Sequence, residues 1–478
     1  MSKPVRTRFA PSPTGFLHVG GIRTALFAYL VAKQADGTFI LRLEDTDKKR
    51  EVEGSAEHLI ESLKILGINY DEGPDKPGDL GPYRQSERLE TYQKWAKKLI
   101  ESGRAYADPY TPEEVQVFRE DAQKNKLPFL YRNHRPENPV AWDGSKPLRF
   151  KSDPKGYKWN DAVMGDLSTG PEVIDDFILI KSDGYPTYNF AHIVDDAEMN
   201  ISHVIRGQEF ISSTPNYLNL YEALNLDRPI LATMPHILNE TGNKKLGKRD
   251  GAKDVLDYIK DGYLPVALVS FIATLGWNDG TEQEIFTRDE LIEKFSLDRV
   301  GRSGAHFDTR RLNWVNGHFI RQMQIDGLYN ASEKYWPDEA KSSDESYKKQ
   351  VLGLIQERLK FLSEIPELTR FFFKDLPIDL SLIESNKQLK KIDKPELADL
   401  LSQSVKQLEQ SDFTSADIQT KLNSLLESTN QKPAVLFSII RVATTWSPAS
   451  PALADTLAVL GKDKAIERLN KSIAALSQ

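Results

Sequence analysis

Apolar and polar positions alternate along residues 5–9, with Val5, Thr7 and Phe9 on one side and Arg6 and Arg8 on the other. That two-residue period predicts a strand. After a turn rich in Pro and Gly, APSPTG, the stretch LHVGGIRTALFAYLVAK changes period. Ile22, Ala25, Leu26, Tyr29 and Leu30 now recur at helical spacing. FILRLE (39–44) alternates again, and a helical stretch around 55–66 closes at Gly67. Strand, helix, strand, helix predicts a parallel sheet with crossover helices, an α/β nucleotide-binding core.

The pattern changes over 86–184. TPEEVQVF carries Thr111 as N-cap, Pro112 at the first helical position and Glu114 to complete a capping box. The polar, Pro-rich segment NKLPFLYRNHRPENPVAWDGSKP predicts loop or irregular strand. FILIK then predicts a strand meeting an Asp-Gly turn at 183–184. We read 86–184 as an insertion in the first domain, whose own parts are 1–85 and 185–255. From about 256 strands become rare. TRDELIEKF (287–295) has a capping box from Thr287 to Glu290, and LIQERLKFLSEI (354–365) predicts an amphipathic helix. The chain shows no internal repeat.

Composition narrows the class. At 478 residues several domains are expected, and 39% hydrophobic with 28% charged residues is ordinary globular usage. No apolar run reaches the length of a membrane span, and the N-terminus lacks the apolar centre of a secretory signal. Cysteine is absent, which removes disulfides, thiol catalysis and cysteine-based zinc sites. These features predict a cytoplasmic protein. The net charge of −7 argues against a protein that coats nucleic acid without specificity, and leaves local patches open.

Two stretches concentrate chemistry. In FAPSPTGFLHVGG, Gly15, Gly20 and Gly21 allow close backbone approach at a helix start, where unpaired amides and the dipole favour an anion. His18 either adds a donor there or caps its own helix. The spacing is neither that of a P-loop nor that of a dinucleotide fold. NKKLGKRD (243–250) holds Lys244, Lys245, Lys248 and Arg249. Taken alone it fits a solvated turn, a nucleic-acid patch or a phosphate-handling loop.

Together these stretches resemble the glutamyl-tRNA synthetases, a family of class I aminoacyl-tRNA synthetases. His18-Val19-Gly20-Gly21 resembles the HIGH motif, with Gly in place of the final His. Lys245-Leu246-Gly247-Lys248-Arg249 resembles KMSKS, with Gly247 where Ser is usual. RLEDTD (42–47), DGYPTYNFAHIVDD (183–196), HVIRGQEF (203–210) and DGYLPVALVSFIATLGW (261–277) are similar to further family blocks. The resemblance is close over about 1–325 and looser beyond.

It implies a Rossmann-like catalytic domain with an α+β insertion that binds the acceptor end, then a mostly α-helical half. That half would comprise a stem-contact domain (256–327) and anticodon-binding domains (328–383 and 384–478). The activity implied is glutamate–tRNA ligation. Glutamate and ATP give glutamyl-adenylate, the glutamyl group passes to the terminal ribose of tRNA(Glu), and activation needs bound tRNA. By the same resemblance His18, Lys245 and Lys248 are catalytic. Thr14, His18, Gly20, Glu209, Lys248 and Arg249 meet ATP, and Arg8, Ala10, Ser12, Glu44, Tyr188, His192 and Arg206 surround glutamate. Glu44 fits an ammonium partner, the alternatives being a pair with Arg42 or a turn cap. His192 fits a satisfied core histidine as well as a ligand contact. Arg358 stands where relatives carry an anticodon-reading Arg, and fits a solvated arginine too. Mg²⁺ is expected with ATP, zinc is not, His134 is expected on the surface, and the protein is expected to be a monomer. Phe129, Tyr131, Arg132 and Arg135 fit either RNA stacking or a small core with solvated arginines.

Overall fold

Thr7 and Phe9 bury on one side of the first strand, and Arg8 buries on the other. A strand interior on both faces belongs inside a sheet covered by helices, as parallel sheets require. The computed structural model describes residues 4–247, 253–448 and 450–477. They form two units: residues up to 260 with 265–312, and residues 261–264 with 313 onward.

The first unit begins β1 (Arg6–Phe9), α1 (Val19–Gln34), β2 (Thr38–Leu41) and α2 (Ser55–Ile65). It continues α3 (Leu89–Glu101), β3 (Ala105–Ala107), α4 (Pro112–Lys124), β4 (Leu148–Phe150), β5 (Tyr157–Asp161), β6 (Gly165–Thr169) and β7 (Ile178–Ile180). Then come α5 (Tyr188–Glu198), β8 (His203–Gly207), α6 (Thr214–Ala223), β9 (Ile230–Met234) and β10 (Ile237–Leu238). α7 (Val255–Lys260), α8 (Pro265–Ala273), α9 (Arg288–Lys294) and β11 (Ala305–His306) complete it.

The main sheet runs β2-β1-β8-β9-β5-β6. Every pairing is parallel except β5 with β6. The predicted parallel core is therefore present. The capping boxes at Thr111 and Thr287 form as expected, each hydroxyl accepting from the amide three residues on. The span read as an insertion is not one body. β3, β4 and β7 make a separate antiparallel sheet, whereas the β5–β6 hairpin extends the main sheet through Asp161 opposite Leu231. Asp161 fixes that edge: its carboxylate accepts from the amides of Val163, Met164 and Thr233 and from the Thr233 hydroxyl.

The second unit is helical. One apolar core gathers Ile320, Leu328, Leu352, Ile355 and Ile365, and another gathers residues from Ile383 to Leu476. The stretch 354–365 is not one helix. The helix Glu345–Ile355 ends in a 3₁₀ turn at Gln356–Arg358, and Ile365–Phe373 starts a new helix with Pro366 in its first turn. The Gln356 amide holds the break by donating to the carbonyls of Ile320 (2.9 Å) and Met323 (2.8 Å). Among the described residues no helix is long and apolar enough to cross a membrane.

Candidate active site

Parallel sheets place ligands beyond the carboxyl ends of their strands. Here the segments leaving β1, β2 and β8 carry Ala10 and Ser12, Glu44, and Glu209. The strand pattern persists past β2, since the amides of Arg42 and Glu44 donate to the carbonyls of Phe9 (3.0 Å) and Pro11 (3.0 Å). This carries Arg42 and Glu44 inward on one face, in line with their alternation. A cavity of about 590 Å³ opens there, lined by Ser12, Thr14, Glu44 and Tyr188, with Lys48 and Lys181 at its edge.

The polar residues behind the cavity are buried and paired. Arg42 has no exposed surface. It donates from Nη2 to Glu44 Oε1 (3.0 Å) and from Nη1 to Asp196 Oδ1 (2.8 Å). Glu44 Oε2 is buried without a hydrogen-bond partner. Burial, outweighing the attraction of Arg42 and Arg8, lifts the Glu44 carboxyl to about 7. Arg8 meets Asp196 through Nε (3.1 Å) and Nη2 (3.3 Å). Burial works against ionisation of Asp196, but Arg8 and Arg42 together hold it at about 2.

α5 presents Tyr188, His192 and Asp196 at four-residue spacing on one face. The His192 ring stacks on Tyr188 with centroids 4.6 Å apart and meets Tyr217 edge-on at 4.6 Å. Its Nδ1 lies 2.7 Å from the Tyr188 carbonyl, which only accepts, so Nδ1 carries the hydrogen. Burial, reinforced by Arg206, lowers its pKa to about 3. His192 is a neutral core ring packed on Tyr188. Burial likewise raises the Tyr188 phenol. Arg206 lies over the rings of Phe210 (5.3 Å) and Tyr217 (5.0 Å) and donates to Thr214 Oγ1 (2.9 Å). Among the described residues no carboxylate lies within ion-pair distance of it.

The phosphate-like end is built differently. His18 precedes α1 in an extended conformation, and its carbonyl accepts from Ile22 N (3.1 Å). A Cβ placed on Gly20 would meet only the His18 ring, at 3.3 Å. The helix start is therefore open beneath the imidazole, and its first turn holds no acidic residue. Across from it, residues 237–246 form a hairpin: Leu246 N donates to Ile237 O (2.8 Å) and Asn239 N to Lys244 O (3.0 Å). This puts Lys245 Nζ 3.7 Å from Glu209 Oε1, with His236 Nδ1 3.9 Å from Oε2. Lys248 and Arg249, the other expected phosphate contacts, lie outside the described residues.

Three further expectations meet the geometry. Tyr131 is buried and Arg149 lies over its ring at 3.3 Å. Arg135 pairs with Asp176 (2.6 Å), and Arg132 donates to the carbonyls of Pro171 and Ile174. This cluster is a small core with committed arginines; Phe129 stays half-buried. His134 is not a plain surface residue, for its ring stacks on Phe118 at 4.1 Å. In the second unit Arg358 donates to the Ser450 carbonyl, and Arg441 Nη2 to that of Pro451 (3.5 Å). Sequence reasoning named Arg42 only as a pair for Glu44 and did not single out Asp196 or Thr214. The available signal was the four-residue spacing of Asp196 from His192 and Tyr188.

Residues 4–314 match the family model described as "tRNA synthetases class I (E and Q), catalytic domain", and residues 327–473 match "Anticodon binding domain". The architecture is thus that of a class I tRNA synthetase. A glutamate–tRNA ligase 2 of Caldicellulosiruptor saccharolyticus is 39% identical over 98% of both chains. A glutamate–tRNA ligase of Clostridium botulinum is 39% identical over 99% of both. The crystal structure of a glutamate–tRNA ligase from Elizabethkingia meningosepticum, in complex with its amino acid, superposes with a TM-score of 0.90. It is 33% identical and is matched over 99% of this chain and all of its own. The chain belongs to the glutamyl and glutaminyl family of class I tRNA synthetases.

Proposed function

We infer that this chain is a glutamate–tRNA ligase, activating glutamate with ATP and transferring it to the terminal ribose of tRNA(Glu). The observation that carries the choice of amino acid is the charge of the buried cluster behind the cavity. Four buried cations, Arg8, Arg42, Arg88 and Arg206, stand against three carboxylates, Glu44, Asp195 and Asp196, with Asp195 shared between Arg88 (2.8 Å) and Arg42 (3.7 Å). One cation is left over, and one carboxylate oxygen, Glu44 Oε2, has no partner. A ligand with two carboxylates and one ammonium closes both deficits, whereas glutamine, with no net charge, closes one. In this reading Glu44 takes the ammonium, and Arg8 and Arg206 take the carboxylates through their guanidinium forks. Tyr188, Ser12 and Ala10 complete the walls.

The substrate carboxylate, already ionised, attacks the α-phosphorus of ATP and expels pyrophosphate, so no general base is needed. The protein's task is to align it and neutralise charge growing on the phosphate oxygens. His18 and the open start of α1 at Gly20, with Thr14 nearby, serve one side. Lys245, Lys248 and Arg249 serve the other, and Glu209 orients Lys245. A ribose hydroxyl of the tRNA then attacks the mixed anhydride and AMP leaves. Magnesium enters with ATP on its phosphates. Among the described residues no three His, Asp or Glu side chains stand together as a cage for it, or for zinc. The β3-β4-β7 sheet would meet the acceptor end, and the helical unit, with Arg358, the anticodon. A monomer acting in the cytoplasm completes the reading. Pyrophosphate exchange with purified tRNA tests it: glutamate should support exchange only when tRNA is present. Exchange with glutamine in place of glutamate, or with neither, overturns the reading.

A further inference from the structure

The adjacent aspartates of α5 divide their hydrogen bonds, although Arg42 Nε also lies 3.7 Å from Asp195 Oδ2. Asp195 accepts from Gln85 Nε2 (2.9 Å), Arg88 Nε (2.8 Å) and the Tyr92 hydroxyl (2.8 Å), binding α3 and its lead-in to α5. Asp196 instead faces the strands. It takes Arg8 on one oxygen pair and Arg42 at 2.8 Å, and Arg42 passes on to Glu44 at 3.0 Å. Arg8, Asp196, Arg42 and Glu44 are all buried, and their charges alternate along the chain of contacts.

We propose that Asp196 is a positioning residue for amino-acid recognition, setting the distance and orientation between Arg8 and Glu44. This rests on the reading that those two groups receive the substrate's carboxylate and ammonium. The geometry gives the reason. Asp196 grips the Nε/Nη2 edge of the Arg8 guanidinium and the Ile205 carbonyl takes one hydrogen of Nη1 (3.4 Å), which leaves the remaining hydrogens of the Nη1/Nη2 edge to a second carboxylate. A planar fork held on one edge has a fixed direction on the other. At the far end Arg42 occupies Glu44 Oε1 and leaves Oε2 for the ammonium. One carboxylate thus aims both ends of a substrate it does not touch. A buried ion pair is by itself weak evidence of a stabilising role, because desolvation offsets the attraction. Two arginines sharing a single carboxylate directly behind a ligand cavity are better accounted for by aim than by stability.

The test is tRNA-dependent pyrophosphate exchange by the full-length enzyme carrying Asp196→Asn, which keeps the size and one acceptor but loses the charge. The KM for glutamate should rise about ten- to hundredfold, the loss of a charge-assisted hydrogen bond. The KM for ATP should stay within about twofold. If Asp196→Asn does not fold, as read by circular dichroism, Asp196→Glu is measured instead. It retains the charge and displaces it by one methylene, and the same split is expected. An unchanged KM for glutamate in a folded variant, or a parallel rise in both constants, overturns the proposal. Arg8→Lys run alongside separates the two claims. If it leaves the KM for glutamate unchanged, the reading of Arg8 fails. If it raises that constant while Asp196→Asn does not, only the positioning role fails.

Discussion

Arg42 Nη2 lies 3.0 Å from Glu44 Oε1, while Glu44 Oε2, in the same buried carboxyl, has no hydrogen-bond partner. The pair bears out one of the sequence readings of Glu44, the contact with Arg42 on Oε1, and leaves Oε2 for the ammonium proposed above. It also makes binding pH-dependent. Burial pushes the Glu44 carboxyl up to about 7. The substrate ammonium needs the ionised form, so binding drives a proton off and weakens as pH falls through that value. The KM for glutamate should be about tenfold higher one pH unit below that value than on the alkaline plateau. Glu44→Gln should raise the constant and abolish its slope with pH. A wild-type constant independent of pH between about 6 and 8 contradicts the assignment.

Arg206 is held by one hydroxyl and two aromatic faces rather than by an acid. Its charge is therefore available to a ligand. Arg206→Ala should weaken glutamate binding by about 2–4 kcal/mol. Thr214→Val, which removes only the orienting hydroxyl, should cost about 0.5–1.5 kcal/mol. Isothermal titration with a non-reactive glutamyl-adenylate analogue gives both numbers.

Lys248→Ala should lower the rate of adenylate formation about 10²- to 10³-fold, as expected for a donor to a developing phosphate charge. Binding of tRNA, followed by filter retention, should change little. Gly247→Ser restores the hydroxyl usual at this position and restricts the backbone. It should lower the KM for ATP; an unchanged constant would make Gly247 a neutral variant.

Arg358→Ala should raise the KM for tRNA by an amount equivalent to about 1–3 kcal/mol, the usual cost of losing a base contact. The KM for glutamate should not move. Aminoacylation of transcripts altered at single anticodon positions would show which base Arg358 reads.

Much was legible without coordinates because it depends on local periodicity and backbone chemistry. β1, α1 and α2 follow from their alternation and helical spacing, and both capping boxes from side chains three residues apart. The glycine-opened helix start after His18 follows from Pro and Gly alone. The basic stretch at 243–250 was legible as cationic, and family resemblance gave it a role. What stayed hidden depends on groups distant in sequence. The β5–β6 hairpin joins the main sheet only because Asp161 finds Thr233. The break at Gln356 arises because its amide reaches carbonyls more than thirty residues away. Tyr131, Arg132 and Arg135 looked as suited to RNA as to a core until Asp176 and Arg149 closed around them.

The sequence by itself determined the fold class and the two chemical loops, which are written in residue type and short-range spacing, while the residues proposed to surround glutamate came from family resemblance. Only the tertiary structure decided the protonation of His192 and Glu44 and the direction of Arg8. His192 is neutral because it is sealed beside Arg206, and Glu44 is poised near neutrality because it is buried. Arg8 is aimed by an aspartate 188 residues away. Burial and Coulomb interaction act through space, and no local pattern encodes them.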